Sequence, residues 1–330
     1  MSYEAKILKD SVSPLGHRLT SFEITFPRPV LAEFNTHRVF SRNSASSRAI
    51  PVKKQLRRVL EDPFVPGRFG INEKGMQSFS FLEGVSHEDA EAGWLRGRDR
   101  AVVTALELLL GYRLVTATLG REPTAERLAN DLDGLIAHLE EAVKRPGWLE
   151  SGILNVHKQI TNRGLEPYMW HTVLVTSTEW SNFYALRVDK EAQPEIRQIA
   201  DMMLQLHEAS QPTPLAYGQW ALPLVSDEEL AEYGADAVEW RQISTGRSAR
   251  ISNLTHDGIR DPAEDVKLHN KLQRDGHMSP FEHPARPMTP EEFAESEWSG
   301  NFHGWHQYRK DIPDESDFAL VKARLKVVES

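Results

Sequence analysis

Residues 33–51 read EFNTHRVFSRNSASSRAIP and hold three arginines, one histidine, two asparagines and four serines, with few large apolar side chains. Guanidinium forks and short rotatable hydroxyls at this density suit phosphate oxygens or a polar heterocycle, because arginine can meet an oxyanion with two parallel hydrogen bonds. The same residues also suit an ordinary polar loop whose serines cap helix ends. The remainder of the chain has to decide between the two.

Working outward, LTSFEITFPRPVLAEF (residues 19–34) predicts a strand over Leu19–Phe26 that turns at Pro27–Pro29 into a helix feeding the quoted stretch. Further on, SHEDAEAGWLRGRDRAVVTALELLLGYRLV predicts a long helix capped by Ser86, and TAERLANDLDGLIAHLEEAVKR a second amphipathic one. YMWHTVLVTSTEW reads as extended and leads through SNFYALR into AQPEIRQIADMMLQLHEA, which reads as helical. SDEELAEY and TPEEFAESEW carry Ser/Thr-x-x-Glu capping boxes, and DPAEDVKLHNKLQRDG a helix opened near Pro262 and closed by Gly276. The segment 221–239 is the expected joint, if the chain has one.

Composition sets the outer limits. The 330 residues suffice for one large or two ordinary domains, and 40% hydrophobic with 26% charged residues is the balance of a soluble globular protein. A net charge of −9 opposes a nucleic-acid partner, so any anion site is a local basic pocket. With no cysteine, thiolate metal sites and cysteine nucleophiles are excluded. No apolar run has the roughly 18 residues of a membrane helix, and the first residues show no signal-peptide core. The expectation is a cytoplasmic enzyme or binding protein without a membrane partner.

Five other stretches concentrate chemistry. In NRGLEP (residues 162–167) and SNFYALR (residues 181–187), Arg163 and Arg187 adjoin apolar runs. A guanidinium there needs an anion, an acceptor array or a carboxylate such as Glu166, Glu179 or Glu195. GHMSPFEH (residues 276–283) has two histidines and a glutamate, but His-x5-His matches no common zinc spacing. GRSARISNLTHDG (residues 246–258) fits neither a Walker nor a Rossmann loop; its small residues and arginine suit close approach to a cofactor, but the preferred reading is a surface loop, and HGWHQYRK (residues 303–310) reads as a surface loop ahead of a ligand lip.

Together these stretches resemble the flavin-dependent thymidylate synthases. That family's signature runs Arg-His-Arg, two residues, then Ser-x-Asn-Glu-x-Ser-x-Arg-Tyr. His37, Arg38, Ser41, Asn43, Ser46 and Arg48 match it, while Thr36, Ser44 and Ala49 depart from it. NRGLEP is similar to the family's Ala-Arg-x-x-Leu-Pro segment, SNFYALR with AQPEIR to its Asn-Phe-x-x-Leu-Arg and Ala-Gln-x-Glu-Ile segments. SARISN and GHMSPFEH are similar to its Ala-Arg-Val-Ser and Gly-His-x-Ser/Thr-Pro-Phe-Glu-His motifs. The last two motifs ordinarily come first; here they come last, which reads as a circular permutation.

The resemblance implies an α+β fold with a central antiparallel or mixed sheet and long helices, permuted in motif order. It implies one domain over 1–330, with the signature and arginines in 1–223, the permuted flavin motifs in 240–290 and a C-terminal extension over 291–330. The implied activity is transfer of a one-carbon unit from methylenetetrahydrofolate to C5 of dUMP, with FAD as cofactor and NADPH as reductant, in a homotetramer with shared sites. Arg187 and Arg163 would be catalytic. Glu33, Ser44, Ser46 and Arg48 would join them in binding dUMP. His37, Arg38, Ser41, Asn43, Thr176, Asn182, Ser252, His277, Ser279 and Glu282 would hold the flavin. Two alternatives stand beside this: hydroxymethylation of dUMP by the same machinery, and a non-catalytic flavin- or nucleotide-binding homologue. A protein reading single-stranded nucleic acid through Trp305 and Tyr308 fits the negative charge poorly.

Overall fold

The computed structural model describes residues 2–75, 77–233, 237–251, 261–313, 317 and 319. The fold is a mixed α+β arrangement around a five-stranded sheet. Its strands are β1 (Glu4–Val12), β2 (Arg18–Pro27), β3 (Ser41–Ser44), β4 (Trp170–Ser177) and β5 (Thr213–Pro214), in the order β3-β4-β2-β1-β5. All neighbours are antiparallel except the short β1–β5 pair. The strand expected at Leu19–Phe26 is β2, buried along most of its length at the centre of the sheet. Its proline-marked end runs through a 3-10 turn (Arg28–Val30) into α1 (Leu31–Phe34), as the sequence predicts.

Side-chain alternation makes the two faces of this sheet different in kind. Phe22, Ile24 and Phe26 of β2 and Val173 and Val175 of β4 bury one face against Phe34, Phe183 and Ile196. These belong to α1, α7 (Ser181–Arg187) and α8 (Pro194–Ala209). The other face carries hydroxyls paired across strands: Ser21 with Thr176 at 2.8 Å and Thr25 with Thr172 at 3.0 Å. Because Ser41 pairs with Thr176 and Asn43 with Leu174, β3 presents Ser41 and Asn43 to this polar face. Arg42 takes the opposite face, where its guanidinium donates to the carbonyls of Phe34 and His37.

A separate helical core is formed by α2 (Val52–Glu61), α3 (Gly84–Leu110), α4 (Tyr112–Leu119) and α5 (Ala125–Ala142), with Leu56, Val102, Leu106, Leu132 and Ile136 at its centre. The long helix begins at Gly84 rather than at Ser86. Ser86 lies inside the first turn, and the residue before the helix, Glu83, makes no side-chain cap. The same core takes in Leu165 and Met169, so the helices brace the 3-10 turn Asn162–Tyr168 that carries Arg163.

Further sequence expectations meet the structure here. Both capping boxes form: Ser226 and Glu229 exchange side-chain to backbone bonds, as do Thr289 and Glu292. The stretch beginning at Gly246 is not a surface loop at its start. Residues 246–249 close α10 (Ala237–Ala249), which packs on α11 (Pro262–Asp275) so tightly that a Cβ on Gly246 would collide with the Asp265 backbone. Nor is HGWHQYRK a surface loop. It contains β9 (Trp305–Gln307), paired with β6 (Ala285–Pro287), and Trp305 is fully buried against Leu19, Ala285 and Phe302, its indole N–H satisfied by the His17 carbonyl at 3.0 Å. With Trp305 and Tyr308 both buried, neither offers a face on which a base could stack. At the start of the segment 221–239, Ala221, Leu222 and Val225 are buried and Ala221 exchanges backbone bonds with Ala285. Among the described residues no helix is long and apolar enough to cross a membrane.

Candidate active site

The signature stretch begins at the end of α1, where the backbone turns through Asn35 and Thr36. This turn seats His37 against Phe40 and Phe183, with ring centroids 5.6 and 5.0 Å away. Burial first, and the nearby Arg187 and Arg42 charges second, push the His37 pKa down to about 4. The ring is therefore neutral, and its Nε2 accepts a hydrogen bond from Arg187 Nε at 3.0 Å. A second guanidinium nitrogen of Arg187 donates to Thr36 Oγ1 at 3.3 Å. Both partners are neutral, and among the described residues no carboxylate lies within ion-pair distance of Arg187. None of the three glutamates considered from the sequence neutralises it, so its charge remains available to a ligand.

Arg187 ends α7, and the first turn of that helix brings Asn182 to the same hollow. The resulting cavity, about 550 Å³, is lined by Thr36, His37, Arg38, Glu179, Asn182, Arg187 and Trp298 among others. A neighbouring hollow of about 660 Å³ shares Leu186 and Arg187 and includes Glu33. Thus Arg187, His37, Arg38 and Asn182 come together, with Glu33 next door.

A second group gathers on the polar face of the sheet. The 3-10 turn Ser279–Glu282 lies against β3. His283, fully buried, faces Thr176 Oγ1 through Nδ1 at 2.9 Å and Asn43 through Nε2 at 3.3 Å. The Asn43 amide satisfies its surroundings when its nitrogen faces this turn, 3.2 Å from both the hydroxyl and the carbonyl of Ser279. Burial holds His283 neutral, with a pKa lowered to about 3. Ser41 Oγ donates to Asn301 Oδ1 at 3.1 Å and accepts from Gln307 Nε2 at 3.2 Å, and Arg309 pairs with Glu282. Two stretches separated by more than 230 positions in the chain, the signature and GHMSPFEH, therefore meet through Asn43, Ser279 and His283.

The third group stands apart from the first, beyond the other end of β3. Ser47 Oγ and the guanidinium groups of Arg28 and Arg163 share Glu166 Oε1, at 2.8, 3.3 and 3.5 Å. Asn162 holds the carbonyls of Ser47 and Ile50. Ser46 adjoins this patch in sequence, with Arg48 and Ser44 exposed beside it. Within one chain, Ser44, Ser46, Arg48 and Arg163 do not line the Arg187 cavity, nor does the exposed His277. Ser252 lies outside the described residues.

Several residues in these networks are absent from the sequence-based set: His283, Trp298, Asn301 and Gln307, whereas Glu166, one of the carboxylates considered from the sequence, does pair with Arg163. His283 stands at the end of a quoted motif, so its position was visible there. Asn301 and Gln307 gave no signal, because the residues they bind lie some 260 positions earlier in the chain.

Buried neutral histidines have a measurable consequence. Burial is the leading cause that depresses His37 and His207 to about 4, and His171 and His283 to about 3. In the unfolded chain each titrates near 6.5. Above about pH 6.5 neither state binds these protons; below it the unfolded state gains them first, so stability falls as pH drops toward 4. Thermal unfolding followed from about pH 8 to 4.5 should give a flat midpoint at the alkaline end and a steep decline below about 6.5. A midpoint that stays level down to about pH 5 would contradict the neutral, buried assignment.

No family model and no curated protein matches this sequence. Among solved structures, a UMP/dUMP methylase, PolB from Streptomyces cacaoi bound with 5-Br UMP, aligns with 62% of this chain and 88% of its own at 16% identity, with a TM-score of 0.39. A likeness this weak supports neither fold nor activity by itself.

Proposed function

We propose that this chain is a flavin-dependent enzyme that transfers a one-carbon unit from methylenetetrahydrofolate to C5 of dUMP, giving dTMP. The reading is carried by one observation: an un-neutralised guanidinium, Arg187, oriented by a neutral His37 and by Thr36, in a cavity with Asn182 and Arg38. The donor set suits a planar ring bearing carbonyl oxygens and carried on phosphate, which describes both uracil nucleotides and flavins. FAD, when bound, supplies the reducing electrons, with NADPH as their source.

The chain's own task is positioning and charge stabilisation. Arg187 would stabilise negative charge developing on the uracil oxygens, and Asn182, Arg38 and His37 would orient the rings. No cysteine exists to add to uracil C6, so a route without a thiolate nucleophile is required. Ser44, Ser46, Arg48 and Arg163 would take the nucleotide phosphate, and His277, Ser279, Glu282 and Ser252 would border the flavin. Since several of these lie away from Arg187 within one chain, the reading includes sites completed between copies, in a homotetramer. Asn43, Ser41 and Thr176 would act by fixing the turn Ser279–Glu282 against the sheet.

Purified protein given FAD should turn yellow, and NADPH under anaerobic conditions should bleach it. Protein that binds dUMP but shows no bleaching would favour the non-catalytic alternative.

A further inference from the structure

The last third of the chain contains a hairpin that the function above does not use. It is formed by β7 (Trp298–Ser299) and β8 (Phe302–His303), turning at Gly300, whose φ of 62° lies in the left-handed region. The hairpin is fastened to the signature stretch. Asn301 Nδ2 donates to the Val39 carbonyl at 3.0 Å, and Asn301 Oδ1 accepts from Ser41 Oγ at 3.1 Å and from Gln307 Nε2 at 2.6 Å. The His303 amide donates to Thr178 Oγ1 at 3.0 Å. Beneath it, Phe302 is fully buried beside Leu19, Ala285 and Trp305.

This anchoring delivers Trp298 to the wall of the Arg187 cavity, opposite in sequence to every other residue that lines it. Trp298 leans on the His303 ring, with centroids 5.0 Å apart, and 44% of its surface is exposed. A tryptophan usually buries most of its large apolar area. One left open at a cavity mouth, on a hairpin tied down by these four polar contacts, is a surface prepared for a flat partner.

We propose that Trp298 is a ligand-binding residue that stacks on the planar heteroaromatic ring held by Arg187 and Asn182. This rests on the functional reading above. The ring could be uracil or isoalloxazine; both are flat, electron-poor and rich in carbonyl acceptors. Stacking needs only a π face, while hydrogen bonds from Arg187 and Asn182 would fix which edge points where.

The test titrates dUMP and FAD separately into the full-length protein and into three variants. Trp298→Ala and Trp298→Leu should weaken the stacked ligand by about tenfold or more, whereas Trp298→Phe should stay within about threefold of the parent. The leucine variant keeps apolar cover and removes the ring, so the test survives if the alanine variant folds poorly. The ligand whose affinity falls identifies the stacked ring. Parent-like affinity of Trp298→Leu for both ligands would overturn the stacking role while leaving the function above intact. Failure of the parent itself to bind either ligand would overturn both together.

Discussion

Arg187→Ala should lower dUMP turnover by about 100- to 1000-fold, the loss typical of deleting a group that stabilises charge in a transition state. The size follows from the setting. Arg187 spends its hydrogen bonds on neutral acceptors, His37 and Thr36, and among the described residues no carboxylate forms an ion pair with it. Removing it deletes the positive field at the ring without stranding a buried anion, and folding should be nearly unaffected. Flavin colour should persist, because Arg38 and Asn182 remain. Arg187→Lys should fall between, since an ammonium keeps the charge but cannot make the paired contacts of the fork. Turnover in the alanine variant within tenfold of the parent would remove Arg187 from the chemistry.

The second large effect is on stability. Arg247→Ala should cost about 3–5 kcal/mol, as expected when one partner of a buried ion pair is deleted. Arg247 is fully buried. Its guanidinium meets Asp265 Oδ2 at 3.0 Å, Glu229 at 2.8 and 2.9 Å and the Leu224 carbonyl at 2.8 Å. Asp265, also fully buried, retains among the described side chains only Arg250 when Arg247 is lost. The contact joins α9 (Asp227–Tyr233), α10 and α11, so its loss loosens the packing that places the turn Ser279–Glu282. Denaturant unfolding monitored at equilibrium reads the cost directly. A loss below about 1 kcal/mol would mean that the site relaxes or hydrates easily.

These two arginines also show what the sequence could disclose. Arg187 was legible: it closes an apolar helix within a recognisable motif, and the structure gives it an oriented, unpaired charge. Arg247 was misread as part of a surface loop, because burial of a guanidinium depends on carboxylates 18 residues to either side. Strand β2, α5, α8 and both capping boxes could be read from local periodicity and capping chemistry, which act over a few residues. The meeting of Asn43 with Ser279 and His283, and the anchoring of the hairpin bearing Trp298, depend on contacts across hundreds of positions. Hydropathy and spacing carry no record of such contacts. Residues 64–144 had no reading at all from motifs; their role in the fold is to brace the turn that holds Arg163.

The most direct measurement is the mass of the nucleotide recovered after incubating the FAD-loaded protein with dUMP, methylenetetrahydrofolate and NADPH. The expected product is dUMP heavier by one CH2 unit, a methyl group replacing the C5 hydrogen, formed only when all three are present. A hydroxymethyl gain would keep the flavin and folate machinery and change its outcome. Recovery of unchanged dUMP from protein that binds both FAD and the nucleotide would contradict one-carbon transfer as the function of this chain.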